Sequence, residues 1–312
     1  MKTDTSFLSL PVFMSQLIHY TACPVCGSTT ISPVLETKDY TVSGDTFPIW
    51  HCSSCSFQFT QDIPTQDVIG KYYQSADYIS HSETKKGLVN SLYHRVRKRT
   101  LKGKRKLIES VAGKKNGKIL DIGCGTGSFL SVMKQNRWEV KGLEPDEQAR
   151  IKAKELYGLT IEPIDTFFNL LPQSFDVITM WHVLEHVHEL HRYITQLKSL
   201  LTPGGRLLIA VPNYTSTDAG HYKKFWAGYD VPRHLYHFSP QSMQLLIEQH
   251  GLKIESIKPM WFDSFYVSML SEKYKSGKLN LLKAGYNGLK SNLIALLQRQ
   301  KCSSLIYIIS AN

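Results

Sequence analysis

No apolar run in these 312 residues approaches the length that a bilayer-spanning helix needs. The most apolar stretch near the start, FLSLPVFMSQLI (residues 7–18), is broken by Ser9, Pro11, Ser15 and Gln16. It follows Asp4 as well as Lys2, which is not the pattern of a secretory leader, so a cytoplasmic chain is expected. Internal repeats and low-complexity tracts are also absent, which excludes repeat arrays and compositionally biased linkers. Acidic residues are in short supply, 26 against 37 Lys and Arg, giving a net charge of +11. That imbalance points to an anionic partner: nucleic acid, a phosphorylated substrate or a lipid surface. The excess is concentrated in HRVRKRTLKGKRK (residues 94–106), with eight Lys or Arg in thirteen positions. Leu88, Val89, Leu92, Tyr93, Val96, Leu107, Ile108 and Val111 recur at helical spacing through and around it. The run is either the solvated face of a helix or an anion-binding surface.

Cysteine is scarce too, and four of the six residues come in two pairs, CPVCG (Cys23, Cys26) and HCSSC (Cys52, Cys55). Two thiolates two residues apart can face one tetrahedral ion, and Gly27 supplies the positive φ of such a knuckle. The 25-residue gap between the pairs is a little above the usual range. Disulfides fit poorly with a cytoplasmic chain. The expectation is a closed, structural zinc site in a module too small to fold on its own core. Cys302 stands alone and is expected to be buried.

From Gly117 the pattern changes. GKILDIG, WEVKGLE, LTIEPI, FDVITMW and RLLIAVPNY read as strands alternating with helical segments. HVHELHRYITQLKSLLTPGG reads as one helix stopped at Pro203-Gly204. LKIESIKPM and SLIYIISAN read as a last strand pair with a long helical segment between them. The expectation is an α/β fold, a Rossmann-like mostly parallel sheet with helices on both faces, preceded by a small zinc-ribbon-like module. The expected divisions are a zinc module over 1–62, a helical connector over 63–116 and a cofactor domain over 117–312, with an acceptor-side insertion near 214–239.

LDIGCGTG (residues 120–127) is a strand running into a glycine turn and a helix. Its spacing is G-x-G-x-G, not the G-x-G-x-x-G of dinucleotide folds. Asp121 just before the loop would repel a pyrophosphate and suits a cation instead. S-adenosylmethionine, with an ammonium, a sulfonium and no phosphate, answers that description. Gly123, Cys124, Gly125 and Gly127 would pass beneath its methionine end. Glu144, ending the second strand, either accepts both ribose hydroxyls or favours a helix start at Pro145. Asp165 either reaches the adenine amine or caps a helix.

With these motifs in order, residues 117–212 (LDIGCGTG, GLEPD, FDVITMWHVLEHV, LLTPGGRLLIAVPN) resemble a class I S-adenosylmethionine-dependent methyltransferase. The resemblance implies seven strands, the last antiparallel to its neighbour, and puts Trp181 and His182 on the wall of the cofactor cleft. His182-x-x-Glu185-His186 also matches a zinc-protease pattern, but a protease needs both histidines on one helix and a third ligand elsewhere, and His182 is expected to precede the helix. VLEHV resembles the same corner in ubiquinone-pathway O-methyltransferases, some of which use a divalent ion. Glu185 either serves such an ion with His186 or caps a helix start; His188 and His191 are expected at the surface.

A second resemblance covers the ends. CPVCGSTT, HCSSCSF and KYYQSADYIS are similar to the N-terminal zinc module of deoxysugar C-methyltransferases, with Tyr72, Tyr73 and Tyr78 at the matching tyrosines. PRHLYHFS resembles a stretch of those enzymes in which a histidine acts on the substrate, and His234 takes its place. Arg233 stands where they have Glu, and Val231 where they have Tyr. The resemblance implies His234 as general base, with His186 in reserve and Tyr73, Arg233, His237 and Tyr72 on the acceptor side. The alternative for His234 is a structural role between Leu235 and Trp226. The leading expectation is methyl transfer to a small-molecule acceptor: a sugar, a glycan precursor or a hydroxylated aromatic. RNA methylation by way of the basic helix and zinc module is the runner-up, and non-catalytic cofactor binding the third.

Overall fold

A computed structural model describes residues 16–74 and 88–311, with side chains from Val96 onward in the second stretch. The leader-like residues 7–15, Tyr78 and the apolar positions from Leu88 to Tyr93 lie outside the described side chains. Short strands β1 (Leu17–Ile18) and β5 (Ile63–Pro64) pair with each other. Between them lie β2 (Ile31–Lys38), β3 (Thr46–Cys52) and β4 (Phe57–Thr60), an antiparallel meander. Helix α1 spans Leu88–Ala112.

The main sheet follows: β6 (Gly117–Ile122), α2 (Ser128–Gln135), β7 (Trp138–Leu143), α3 (Glu147–Tyr157), β8 (Phe175–Trp181), α4 (Leu190–Leu200) and β9 (Leu201–Pro212). After α5 (Thr217–Tyr222), β10 (Tyr236–His237) and α6 (Pro240–Gln249), the chain closes with β11 (Leu252–Pro259), α7 (Asp263–Ser276), α8 (Leu281–Leu297) and β12 (Ser304–Ala311). The strand order is β11-β12-β9-β8-β6-β7. β9, β8, β6 and β7 run parallel, and β12 is antiparallel to both neighbours. The chain leaves β6 for β7 on one side and returns to β8 on the other, which opens a crevice at the carboxyl ends of β6 and β8.

Alternation along the strands builds two cores. Ile119, Val177, Leu208 and Ile306 face one side, where Ile108 of α1 and Phe129 of α2 cover them. Leu120, Ile178, Leu207 and Leu305 face the other. That second core is continuous with Phe57 and Phe59 of the N-terminal meander, and the ring of Phe57 packs against those of Tyr236 and Phe238. β10 completes the link by pairing with β4, so residues of the insertion form the edge strand of the N-terminal sheet.

The strand count differs from seven. The expected third strand is reduced to one bridge, Leu143 to Glu162. Gly158 ends α3 at φ +60°, and Pro163 has no N–H to extend a ladder, so only four residues stand between them. The helix expected after β8 is also shorter. Expected from His186 to Gly205, it spans only Leu190–Leu200: His186 to Glu189 lie in and after a 3-10 turn at Leu184–His186, and Leu201 to Gly205 open β9.

Candidate functional site

Gly123, Gly125 and Gly127 all adopt positive φ, at 67°, 54° and 75°. A Cβ on Gly123 would lie 2.4 Å from Cγ2 of Val183, so the glycine lets the loop touch the corner after β8. Above Gly125 there is open space for 4 Å. Glu144 is buried and grips this loop: Oε2 accepts from the Gly125 N–H at 2.7 Å and Oε1 from the Asp146 N–H at 3.1 Å. Burial raises its carboxyl, while the two backbone N–H groups pull it down.

Asp121, at the end of β6, is 2% exposed and accepts the Thr179 hydroxyl at 2.6 Å. Burial pushes it up to about 7, although Thr179 and the Lys104 ammonium pull the other way. Lys104 comes from the basic run of α1, yet it points inward. Its Nζ stands 4.0 Å from the centroid of the Trp181 ring. Burial lowers Lys104 to about 8 against the attraction of Asp121 and Asp263. The Trp181 indole N–H is buried with no hydrogen-bond partner among the described residues. Two buried carboxylates at strand ends, open space above the central glycine and an orphan donor beside them fit a cationic, hydroxyl-bearing ligand. Cys124 is buried beneath the loop, where desolvation pushes its thiol above its ordinary value. Asp165 stands exposed at the start of a 3-10 turn, Ile164–Asn169.

The corner after β8 holds a chain of charges. His182 has φ +59°, a conformation His adopts more readily than most residues. Its Nδ1 lies 3.3 Å from Glu185 and its Nε2 3.2 Å from Asp263, which also accepts from Ser304. Burial opposes charge on His182, but Asp263 and Glu185 outweigh it and raise the ring to about 10. His182 is therefore an imidazolium at neutral pH, and Glu185, fully buried, is held below its usual range. Glu185 Oε2 has no hydrogen-bond partner among the described residues.

Against this corner lies the insertion. The His186 and His234 rings meet edge to face with centroids 4.6 Å apart. His186 Nδ1 donates to the Arg233 carbonyl at 3.0 Å, and His234 Nδ1 donates to the Gly228 carbonyl at 2.9 Å. Carbonyls only accept, so in the neutral form of each ring the lone pair is at Nε2. The Tyr73 hydroxyl is 3.0 Å from His186 Nδ1, and Glu185 Oε1 is 4.0 Å from His234 Nε2. Burial and His234 push His186 down to about 4, so it is neutral at pH 7. Ligand atoms of Glu185, His186 and His234 lie within 4.8 Å of one another and could also meet one divalent ion. The protease pattern has no helix to stand on: His182 precedes the short turn, and His186 turns toward His234. His188 is partly buried, its Nε2 donating to the Pro64 carbonyl, and His191 is exposed.

Three acceptor-side expectations need correction. Arg233 does not face an acceptor: it is fully buried and paired with Asp39 at 3.0 Å and Asp230 at 2.7 Å, and it donates to the Tyr72 carbonyl. The Tyr72 ring packs edge-on against Phe47 in the N-terminal core instead of lining the cleft. His237 is buried behind His234, its Nε2 on the Thr60 hydroxyl at 3.1 Å. Sequence reasoning missed Lys104, Asp230 and Asp263 as parts of the site. Lys104 lay in the basic run and Asp230 in the insertion already singled out, but the inward direction of Lys104 has no signature within a run of eight cations, and nothing in the sequence pairs Asp230 with Arg233.

The four paired cysteines converge. Cys23 and Cys55 Sγ atoms are 3.6 Å apart, as are those of Cys26 and Cys52, and all four fall within 4.8 Å. A tetrahedral zinc with bonds of about 2.3 Å has sulfur–sulfur edges of about 3.8 Å. The spacing fits four ligands of one ion and is far beyond a disulfide's ~2 Å. Cys302 is buried against Ser264, away from this cluster.

Residues 93–257 match the family described as a methyltransferase domain, and the chain belongs to that family. An uncharacterized methyltransferase of Alkaliphilus oremlandii is 32% identical over 36% of this chain and 53% of its own length. The ubiquinone biosynthesis O-methyltransferase of Idiomarina loihiensis is 27% identical over 50% of this chain and 70% of its own. For the Vibrio atlanticus enzyme of the same name the match is 33% over 34% of this chain, spanning about half (48%) of the relative. Among solved structures, the Haemonchus contortus phosphoethanolamine N-methyltransferase 2 complex with S-adenosyl-L-methionine has a TM-score of 0.47 at 17% identity, covering 67% of this chain and 52% of that one.

Proposed function

We propose that the protein transfers a methyl group from S-adenosylmethionine to a hydroxyl or acidic carbon of a small molecule: a sugar, a glycan precursor or a hydroxylated aromatic. The observation that carries this reading is the pair of imidazoles, His186 and His234, each with its Nε2 lone pair freed by a backbone carbonyl, in a corner that touches the glycine loop. Bound S-adenosylmethionine supplies an electrophilic methyl with a neutral thioether as leaving group. Asp121 meets its cationic head, Glu144 takes the ribose hydroxyls, and Lys104 is placed to meet the carboxylate. Trp181 and Phe129 wall that end, their rings edge to face at 5.7 Å.

His234 accepts the acceptor's proton at Nε2. Gly228 holds its tautomer, and Glu185 stabilises the imidazolium that results. Tyr73 and His186 orient the acceptor beside it. Most of the acceleration comes from alignment, and the base adds a factor of roughly 10² to 10⁴. The four-cysteine cluster holds a structural zinc, with no position left for substrate. The inward-turned Lys104 supports this reading over RNA methylation, because a cation central to the basic run serves the cofactor cleft.

Two measurements test the assignment. Glu144→Ala should weaken cofactor binding by about 1–3 kcal/mol in calorimetry, since a charged acceptor is lost; unchanged affinity in both Glu144→Ala and Asp121→Ala would overturn the cofactor. With an acceptor in hand from a labelled-methyl screen, His234→Gln should slow turnover by about tenfold or more with cofactor affinity intact. Near-normal turnover would pass the role to His186 or leave alignment as the whole of the catalysis.

A further inference from the structure

Helix α8 (Leu281–Leu297) is turned inside out. Its inward side is small or polar: Ala284, Gly288, Ser291 and Ala295 are buried against the fold. Ser291 donates to Asp218, Asn287 to Tyr222 and Asn292 to the Trp261 carbonyl. Its outward side is apolar. Leu282, Tyr286, Leu289, Leu293 and Leu297 recur at intervals of three or four and form one stripe, and Leu282 and Leu297 are 88% and 90% exposed. A surface helix in water carries the opposite arrangement. A contiguous apolar stripe of this length marks a docking surface.

The charge around the stripe selects the occupant. From Lys273 to the last residue, Asn312, the sequence has seven Lys or Arg and no Asp or Glu. Lys283 and Lys290 flank one edge of the stripe and are exposed, and Lys275 and Lys278 stand exposed toward its N-terminal end. A second copy of this helix would bring cations against cations with no carboxylate on α8 to pair them. An anionic bilayer answers both features, with headgroups for the lysines and acyl chains for the leucines. No helix among the described residues is long and apolar enough to cross a membrane, so the contact is one of lying on the surface. We infer that α8 docks the protein on anionic lipid, its leucine stripe at the headgroup boundary and its lysines on the phosphates.

Flotation of the full chain with vesicles tests this. Vesicles of phosphatidylcholine with phosphatidylglycerol should carry the protein up, and phosphatidylcholine alone should bind it about tenfold or more weakly. Leu289→Gln with Leu293→Gln should cut binding to the anionic vesicles by about tenfold or more, because the buried apolar contact is removed. Lys283→Gln with Lys290→Gln should weaken binding to anionic vesicles and leave neutral ones unaffected. Circular dichroism and cofactor affinity should stay at wild-type values in both variants, since these side chains are exposed and none belongs to the proposed cofactor site. Failure to float with either vesicle, or undiminished flotation of the leucine variant, overturns the proposal. So does a dimer in sedimentation that the leucine variant dissolves, because α8 would then dock on its own copy.

Discussion

Asp121 is buried at the end of β6 with its carboxyl raised to about 7, well above the ~3.9 of an exposed Asp. The protonated form is favoured in the fold, so this residue's contribution to stability is fullest below the unfolded value and is lost as pH rises through about 7. A cationic ligand needs the opposite form. Cofactor affinity should therefore fall as pH drops through 7, by about tenfold between pH 8 and pH 6, because Asp121 must first give up a proton. Calorimetry at the two pH values measures it, with Asp121→Asn reporting what the Lys104 ammonium contributes over the same range. An affinity unaffected by pH over that range would mean that the cofactor's cation does not meet Asp121. Asp121 and Glu144 were legible in the sequence because a strand end and a glycine turn fix where they point. Lys104 and Arg233 were not. One sits among eight cations whose facing depends on packing, and the other became a buried ion-pair partner of Asp39, 194 positions earlier in the chain.

At the scale of the element, the glycine loop and the corner after β8 are one construction. Gly123→Ala would set a methyl 2.4 Å from Val183 Cγ2 and force a side chain into left-handed backbone. The backbone cost is about 1–2 kcal/mol, and overpacking adds about 1–3. Thermal or denaturant unfolding should show a loss within that sum, together with weakened cofactor binding. Val183→Ala in the same chain should recover the packing part alone, so the double variant should lose less than Gly123→Ala. Strict additivity would show that the loop and the corner are not in contact. Such contacts are invisible in sequence, whereas the elements they join were visible. β6, β7, β8, β9 and the final antiparallel pair follow their apolar patterning. The third strand is reduced to a bridge because a glycine cap and a proline leave only four residues between them, and the helix after β8 is shortened at its start by the extended backbone at Val187 and at its end because Leu201 to Gly205 enter the sheet.

At the scale of the whole molecule, the cysteine cluster and the segment of the proposed base are joined through one sheet. Cys52 ends β3, β3 pairs with β4, and β4 pairs with β10 of the insertion. Thr60, closing β4, donates its hydroxyl to the His234 carbonyl at 2.8 Å and its N–H to the Leu235 carbonyl at 2.9 Å. The buried Arg233 ties the loop at Asp39 and Thr41 to Asp230 of the insertion. Breaking such a buried pair costs about 3–5 kcal/mol. The glycine loop hangs on a different sheet, the six-stranded one, through β6 and β7. Metal analysis of protein purified without chelator should give one zinc per chain. A second equivalent would point to Glu185, His186 and His234, and near-zero content in folded, reduced protein would remove the cysteine assignment. Stripping the zinc should then separate the two halves of the site. With zinc in the cysteine cluster the N-terminal sheet should depend on the metal, since modules of this size draw on the order of 10 kcal/mol from it. Its loss should free β4, and with it the segment that carries His234. Turnover should collapse and the insertion should become open to limited proteolysis, while S-adenosylmethionine affinity in calorimetry stays within about threefold of the loaded protein, because no cofactor contact proposed above comes from the cysteine module. Equal loss of cofactor binding would show that the two sheets fold as one cooperative unit, and retained turnover would show that β10 holds His234 in place without β4.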